Sequence, residues 1–336
     1  MSNTAVMNAP AEAGMAKAKP KMSAYKRRKL IKQALVSFCR FILLFGLCFM
    51  IIQPILNKIS VSFMTEEDLY DPVVVNIPAH FTTENYQLAA EIMSYKEAFK
   101  NSMVISLTIA ILQVVVCTLV GYGLARYDFP GKNILFGCVL LMIVVPPQVI
   151  STSLYLHFRF FDIFGIFKLI TGEAINLRGS VLPYYMMSAG CVGLKNGLYI
   201  YLIRQFFRNI PKELEEAAYV DGCGTLKTFF VIMLPDAKPI LTSCFLFAFV
   251  WQWTDGFYSS MFLGTTKLVS TSLSRIIDSL GAFIMRELGI QTSVSVAYSN
   301  CILSTGTLMI ILPLIILYLF AQRGFVESLS STGIKM

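Results

Sequence analysis

Long apolar runs separated by polar stretches fill the chain from residue 38 onward, at residues 38–63, 102–125, 133–156, 180–203, 239–257 and 295–320. A helix of about 20 residues crosses a hydrocarbon layer about 30 Å thick, so the pattern predicts six transmembrane helices in an all-α polytopic membrane protein. Breakers punctuate the runs. Pro146-Pro147 interrupt the third, Gly190, Gly193, Lys195, Asn196 and Gly197 the fourth, and Pro313 lies in the sixth. A proline leaves carbonyls of the preceding turn unpaired, and inside a bilayer these need a protein partner or a wet cavity. The third run is therefore either a kinked helix or a broken one lining a path.

The stretches between the runs set the orientation. Residues 1–37 form a polar, basic tail without apolar periodicity. Nine Lys or Arg and no acid lie between Lys17 and Arg40, which holds the amino end on the cytoplasmic side. The first run is long enough to span and is followed by no small-residue cleavage site, so it reads as an uncleaved helix. Residues 65–100, rich in Asp and Glu, fall outside, as do 158–179 and 258–292. The turn from Arg126 to Lys132, the segment 208–238 and the tail 321–336 fall inside. Counted with Arg40 and with Arg204 just ahead of residue 208, which belong to the same basic flanks, these inner segments hold 18 of the 28 Lys and Arg, and both termini are expected in the cytoplasm.

Composition agrees with the pattern and removes other classes. Hydrophobic residues make up 56% and charged residues 14% of the 336, against about a quarter charged in soluble domains. The net charge of +8 is concentrated at the amino end, a membrane anchor rather than a nucleic-acid surface. The eight cysteines lie mostly in apolar runs and never as CxxC, which suggests neither a disulfide framework nor zinc. His80 and His157 are far apart and lack carboxylates at a ligand-like spacing, so no metal site is expected. No nucleotide loop GxxxxGK[ST], GxSxG elbow or HExxH pair occurs. The nearest decoy, Gly222-Cys-Gly-Thr-Leu-Lys-Thr228, has Leu226 where the loop needs glycine. The chain reads as a non-enzyme subunit with no cofactor of its own.

Residues 211–235 are the most informative polar stretch. Pro211 suits a first helical turn, and Glu213, Glu215 and Glu216 place acid at the positive end of its dipole. Ala217 and Ala218 let a partner approach the backbone closely. Gly222 and Gly224 break the helix, and a second helical pattern runs from Thr225 through Ile232 until Pro235 ends or kinks it.

The spacing of Glu216-Ala217-Ala218, Gly222, Ile232 and Leu234-Pro235 resembles the EAA loop of ABC-importer permeases. Gly121 to Arg126, Trp253-Thr-Asp255 and the tail from Gln322 to Lys335 resemble the shorter permease of maltose-type carbohydrate importers, with Gly324 where an aromatic is common. That resemblance implies a type I importer permease fold. It also implies a coupling helix, Asp221 included, that docks on a separate ATPase. The implied partners are a second permease subunit, two ATPase subunits holding ATP and Mg, and an extracellular or periplasmic solute-binding protein, with no nucleic acid. The solute implied is a sugar or oligosaccharide; an amino acid, a peptide or a phosphorylated polyol is the alternative, and a carrier or channel independent of ATP is a further one.

The candidates for the solute path are Pro146, Lys195, Asn196, Trp251, Trp253 and Asp255. A charge such as Lys195 in an apolar stretch is expensive unless it faces a cavity or reaches the interface. Trp251 and Trp253 could stack on sugar faces or sit in the interfacial aromatic belt.

Overall fold

A computed structural model describes residues 24–163, 165–289 and 294–333. These residues are helical almost throughout, and the only strand-like features among them are two isolated antiparallel bridges, Met64 with Phe81 and Phe161 with Ile175. The chain separates into two units, residues 1–56 and 57–336. Helix α1, Ala24–Ser62, supplies the described part of the first unit and enters the second.

In the second unit α2 (Glu66–Tyr70) and α3 (Glu84–Ile92) build a small polar cap before α4 (Tyr95–Arg126). Asn85 Nδ2 donates to the carbonyls of Ser62 and Met64, at 3.1 and 2.8 Å, and closes that segment on the end of α1. Asp68 accepts from the backbone N–H of His80 and lies 2.8 Å from its Nδ1. The backbone hydrogen bond from His80, ahead of its imidazole, lowers the Asp68 pKa below 3.8; the hydrogen bond to Asp68 raises that of His80 above 6.5. A lowered acid stabilises above its unfolded pKa and a raised base below its own. The tie is therefore complete between 3.8 and 6.5 and weakens on either side. Thermal unfolding of wild type and Asp68→Asn, followed against pH, is expected to show their largest gap in that window, closing as pH rises through the folded His80 pKa.

After α4 come α5 (Lys132–Val144), α6 (Ser151–Arg159) and α7 (Ile166–Thr171). The third apolar run is thus two helices. Val145, directly before Pro146, is extended at φ −73° and ψ 118°, as the steric demand of a following proline requires. The fourth run is also discontinuous, with α8 (Leu182–Ala189) and α9 (Asn196–Asn209) on either side of residues 190–195. Within that break Cys191 and Lys195 hold left-handed backbone, φ 60° and 62°, a costly conformation for side chains other than glycine.

A helical hairpin contains α10 (Glu213–Val220), α11 (Thr225–Thr228) and α12 (Leu234–Asp236), the last two joined by a π-helical turn, Phe229–Met233. Pro235 lies one residue before the run ends and kinks. The widened turn, in which the Leu234 N–H reaches the Phe229 carbonyl, carries the helix past the proline to Asp236. The chain then bends by 73° into α13 (Lys238–Trp253). α14 (Phe257–Phe262), α15 (Val269–Ser274), α16 (Ile276–Leu288) and α17 (Val296–Gly333) complete the described chain. Residues 321–333 of the expected polar tail continue α17 as helix.

Among the described residues three helical segments are long and apolar enough to cross a membrane, Ile31–Ser62, Tyr95–Arg126 and Val296–Gln322. The bent pair ending in α13 makes a fourth if counted as one span.

The core of the second unit forms where α4 packs on α9 and α13, and α13 on α17. Ile105, Ile109, Gln113 and Cys117 recur at four-residue spacing and are buried, whereas Val104, Ile111, Val115 and Leu119 face outward, the two faces that a 3.6-residue period separates. Small residues set the approach of the helices. A Cβ on Gly121 would lie 2.9 Å from Ile203 Cγ2, and one on Gly197 2.9 Å from the Val139 carbonyl. Arg204 is buried, its guanidinium 3.8 Å over the Phe136 ring and its Nε donating to the Leu124 carbonyl.

Candidate functional site: a helical hairpin and a cavity between broken helices

The hairpin is held from beneath by a residue that the motif reading passes over. Glu215, not Glu216, turns inward. Its Oε1 accepts from the Tyr122 hydroxyl at 2.9 Å and lies 3.3 Å from Arg126 Nε. Arg126 also donates through Nη2 to the Ile210 carbonyl at 3.0 Å, just ahead of α10. The Arg126 and Glu215 side chains are only 5% and 10% exposed, so the pair is desolvated and its two partners depend on one another. Tyr122 also packs edge-on to Phe207 of α9 and against Phe229, so that with its bond to Glu215 it ties the end of α4 to both arms of the hairpin.

With Glu215 inward, Ala218 three residues on is buried too, while Glu216, Ala217 and Asp221 are exposed. This is the helical i, i+3 relation, and it was the one sequence signal available for Glu215. Gly222 sits at the tip with φ +81° and nothing within 4 Å of where a Cβ would stand. Its conformation, not crowding, requires glycine. Ile232 and Leu234 are half-buried on the returning arm and Pro235 is exposed. Leu214, Val220 and Leu226, at 43%, 87% and 74% exposure, give the hairpin an apolar outer face beside its carboxylates.

Five of the six solute-path candidates meet in one cavity of about 840 Å³. Pro146 comes from the α5–α6 break, Lys195 and Asn196 from the α8–α9 break, Trp251 from the last turn of α13, and Asp255 from just beyond it. The two breaks thus face the same space. Lys195 Nζ stands 4.7 Å above the Trp251 ring. Asp255 is buried and already saturated. It accepts from the Tyr184 hydroxyl at 2.5 Å, from the Ser259 N–H and hydroxyl at 2.9 and 3.1 Å, and from the Tyr258 N–H at 3.2 Å.

Trp253 does not join them. It is 1% exposed, stacks on Phe249, meets Phe99 edge-on and donates from Nε1 to the Ile310 carbonyl. Two residues along a helix is a turn of about 200°, so Trp251 and Trp253 point to opposite sides; Trp253 is a core residue and neither path nor belt.

Residues 113–330 match the family described as binding-protein-dependent transport system inner membrane component, and the chain belongs to that family. It is 28% identical over 294 residues to an arabinooligosaccharides transport system permease protein of Halalkalibacterium halodurans, covering 86% of this chain and 93% of that one. It is 25% identical over 301 residues to a maltodextrin transport system permease protein of Bacillus subtilis, covering 88% and 95%. A trehalose transport system permease protein of Mycobacterium tuberculosis is 28% identical over 282 residues, 84% and 92% of the two chains. The fold resembles a chain in the crystal structure of a bacterial ABC transporter involved in import of the acidic polysaccharide alginate, with TM-score 0.62, 18% identity, and 91% of this chain and 99% of that one covered. The chain is a multi-pass membrane permease of a binding-protein-dependent ABC importer and a transport component rather than an enzyme.

Proposed function

We propose that this chain forms half of the translocation path of a sugar or oligosaccharide importer and takes its energy from a separate ATPase that docks on the hairpin centred on Gly222. The observation that carries the reading is the division of labour on α10. Glu215 fastens the helix to α4 through Tyr122 and Arg126, leaving Glu216, Ala217 and Asp221 on the open face. A push on that face is transmitted to α4, whose core contacts with α9 and α13 run beside the cavity.

Six spans with both termini cytoplasmic fit this assignment, with α5–α6 and α8–α9 each counted as one discontinuous span and α13 as a short one. A second permease would supply the other half of the path, two ATPase subunits would bind ATP and Mg, and a solute-binding protein would deliver the solute outside. ATP-driven closure of the ATPases then shifts the population between inward- and outward-facing states. The carbohydrate class rests on the names of the relatives, which carry arabinooligosaccharides, maltodextrin and trehalose.

The test is purification through a tag on this chain. An ATP-hydrolysing subunit is expected to copurify, and reconstituted uptake of a saccharide panel is expected to stop when ATP is withdrawn. Transport that persists without ATP, and without a copurifying ATPase, overturns the reading in favour of a carrier or channel. ATP-dependent uptake of an amino acid, peptide or phosphorylated polyol in place of saccharides overturns the solute class alone.

A further inference from the structure

The cavity is built asymmetrically in charge. Lys195 opens onto it without an ion-pair partner among the described residues, resting on the Trp251 ring. The carboxylate on the same wall, Asp255, is occupied by four donors that cap and anchor α14. Lys195 is exposed to that space, and an ammonium that faces a cavity with no counter-ion marks a place where a counter-charge arrives.

Asn196, adjacent to Lys195, adds a second and independent feature. It is fully buried, its Nδ2 donates to the Ser188 carbonyl, and its Oδ1 has no donor. A buried acceptor without a partner is expensive unless something transient satisfies it. Asn196 also opens the 14-residue α9, whose first turn lines the cavity with Gly197 and Leu198. The positive end of that dipole adds to the field of Lys195.

The backbone is fixed for this purpose. Lys195 is left-handed, and Gln113 Nε2 holds the break by donating to the Leu194 carbonyl at 3.1 Å. Strain of this kind persists where the surrounding structure over-determines it. Apolar groups complete the wall, among them Met142, Val145 and Trp251, the surface that the C–H faces of a sugar ring require.

We propose that this cavity is a subsite for a carboxylated sugar, its carboxylate taken by Lys195 and a hydroxyl donated to Asn196 Oδ1. The inference rests on the permease reading and narrows its solute from saccharides at large to acidic ones. On arrival the carboxylate draws the ammonium off the Trp251 ring, trading a cation–π contact for a charge-assisted hydrogen bond.

The chain contains two tryptophans, of which Trp251 lines the cavity and Trp253 is buried in the core, so tryptophan emission reports the event directly. The full chain in nanodiscs is titrated with trigalacturonate and with maltotriose. A saturable emission change is expected with the acidic trisaccharide, at an affinity about tenfold or more above that for the neutral one, and is expected to vanish in Trp251→Phe. Lys195→Asn removes the charge with a residue that tolerates left-handed backbone and is expected to erase the preference; Lys195→Arg is expected to retain it. Equal or tighter binding of maltotriose, binding of neither sugar, or a preference that survives Lys195→Asn overturns the proposal. None of these touches the permease assignment, which stands or falls on ATPase copurification and the ATP requirement of uptake.

Discussion

Replacing Gly222 by valine is expected to abolish ATP-driven uptake while the chain remains inserted in the membrane at normal abundance. The glycine holds φ +81° at the tip of the hairpin, in open space. Any side chain there is therefore penalised by its own backbone, by about 1–2 kcal/mol for an ordinary L residue, and a β-branched one suffers most. The chain relieves that strain by re-forming the turn, which re-aims α10 relative to α11 while leaving the core untouched. Glu216→Lys is expected to give the same loss of uptake by another route. The carboxylate is exposed and makes no ion pair among the described residues, so reversing its charge leaves folding unaffected and alters only what docks against it. Uptake into proteoliposomes and solute-stimulated ATP hydrolysis by the purified complex check both variants. Normal stimulation in either would remove the hairpin from the coupling path.

Glu215→Ala is expected to be the most destabilising change in the hairpin. It strands the Arg126 guanidinium, 5% exposed, and breaking a buried pair by removing one partner costs about 3–5 kcal/mol. The Tyr122 hydroxyl loses its acceptor as well, for about a further 1 kcal/mol. Tyr122→Phe is expected to lose only that smaller part. The thermal unfolding midpoint of the chain in detergent, compared with that of Glu216→Ala, separates the two neighbours. If both alanine variants unfold at the same temperature, the anchor assigned to Glu215 is wrong.

The contrast between those adjacent glutamates shows where sequence reading stops. The helical start at α10, the break at Gly222 and the resumption at Thr225 are local events, set by acid at a dipole end and by glycine, and they stand in the order of the residues. Which glutamate turns inward depends on where Tyr122 and Arg126 lie, more than 80 residues earlier. Trp251 and Trp253 divide in the same way. Both belong to one apolar run, and only the packing of α13 between α4 and α17 decides that one faces a cavity and the other the core.

The breaks follow a similar division. Pro146-Pro147 announce theirs, because a missing donor and a restricted preceding residue act within one turn. The left-handed Cys191 and Lys195 carry no such mark, since side chains of those types adopt that conformation only when neighbours such as Gln113 impose it.

By itself the sequence determined the helical class, the membrane setting, the inner location expected for the hairpin and the family resemblance, because hydrophobic length, basic flanks and turn residues act over a few residues at a time. Only the tertiary structure decided that Glu215 anchors and Glu216 presents, that Arg204 is buried, and that Pro146, Lys195, Asn196, Trp251 and Asp255 share one cavity. Those outcomes depend on contacts between segments far apart in the chain, and the side of a helix that meets such a contact is fixed by packing and not by composition.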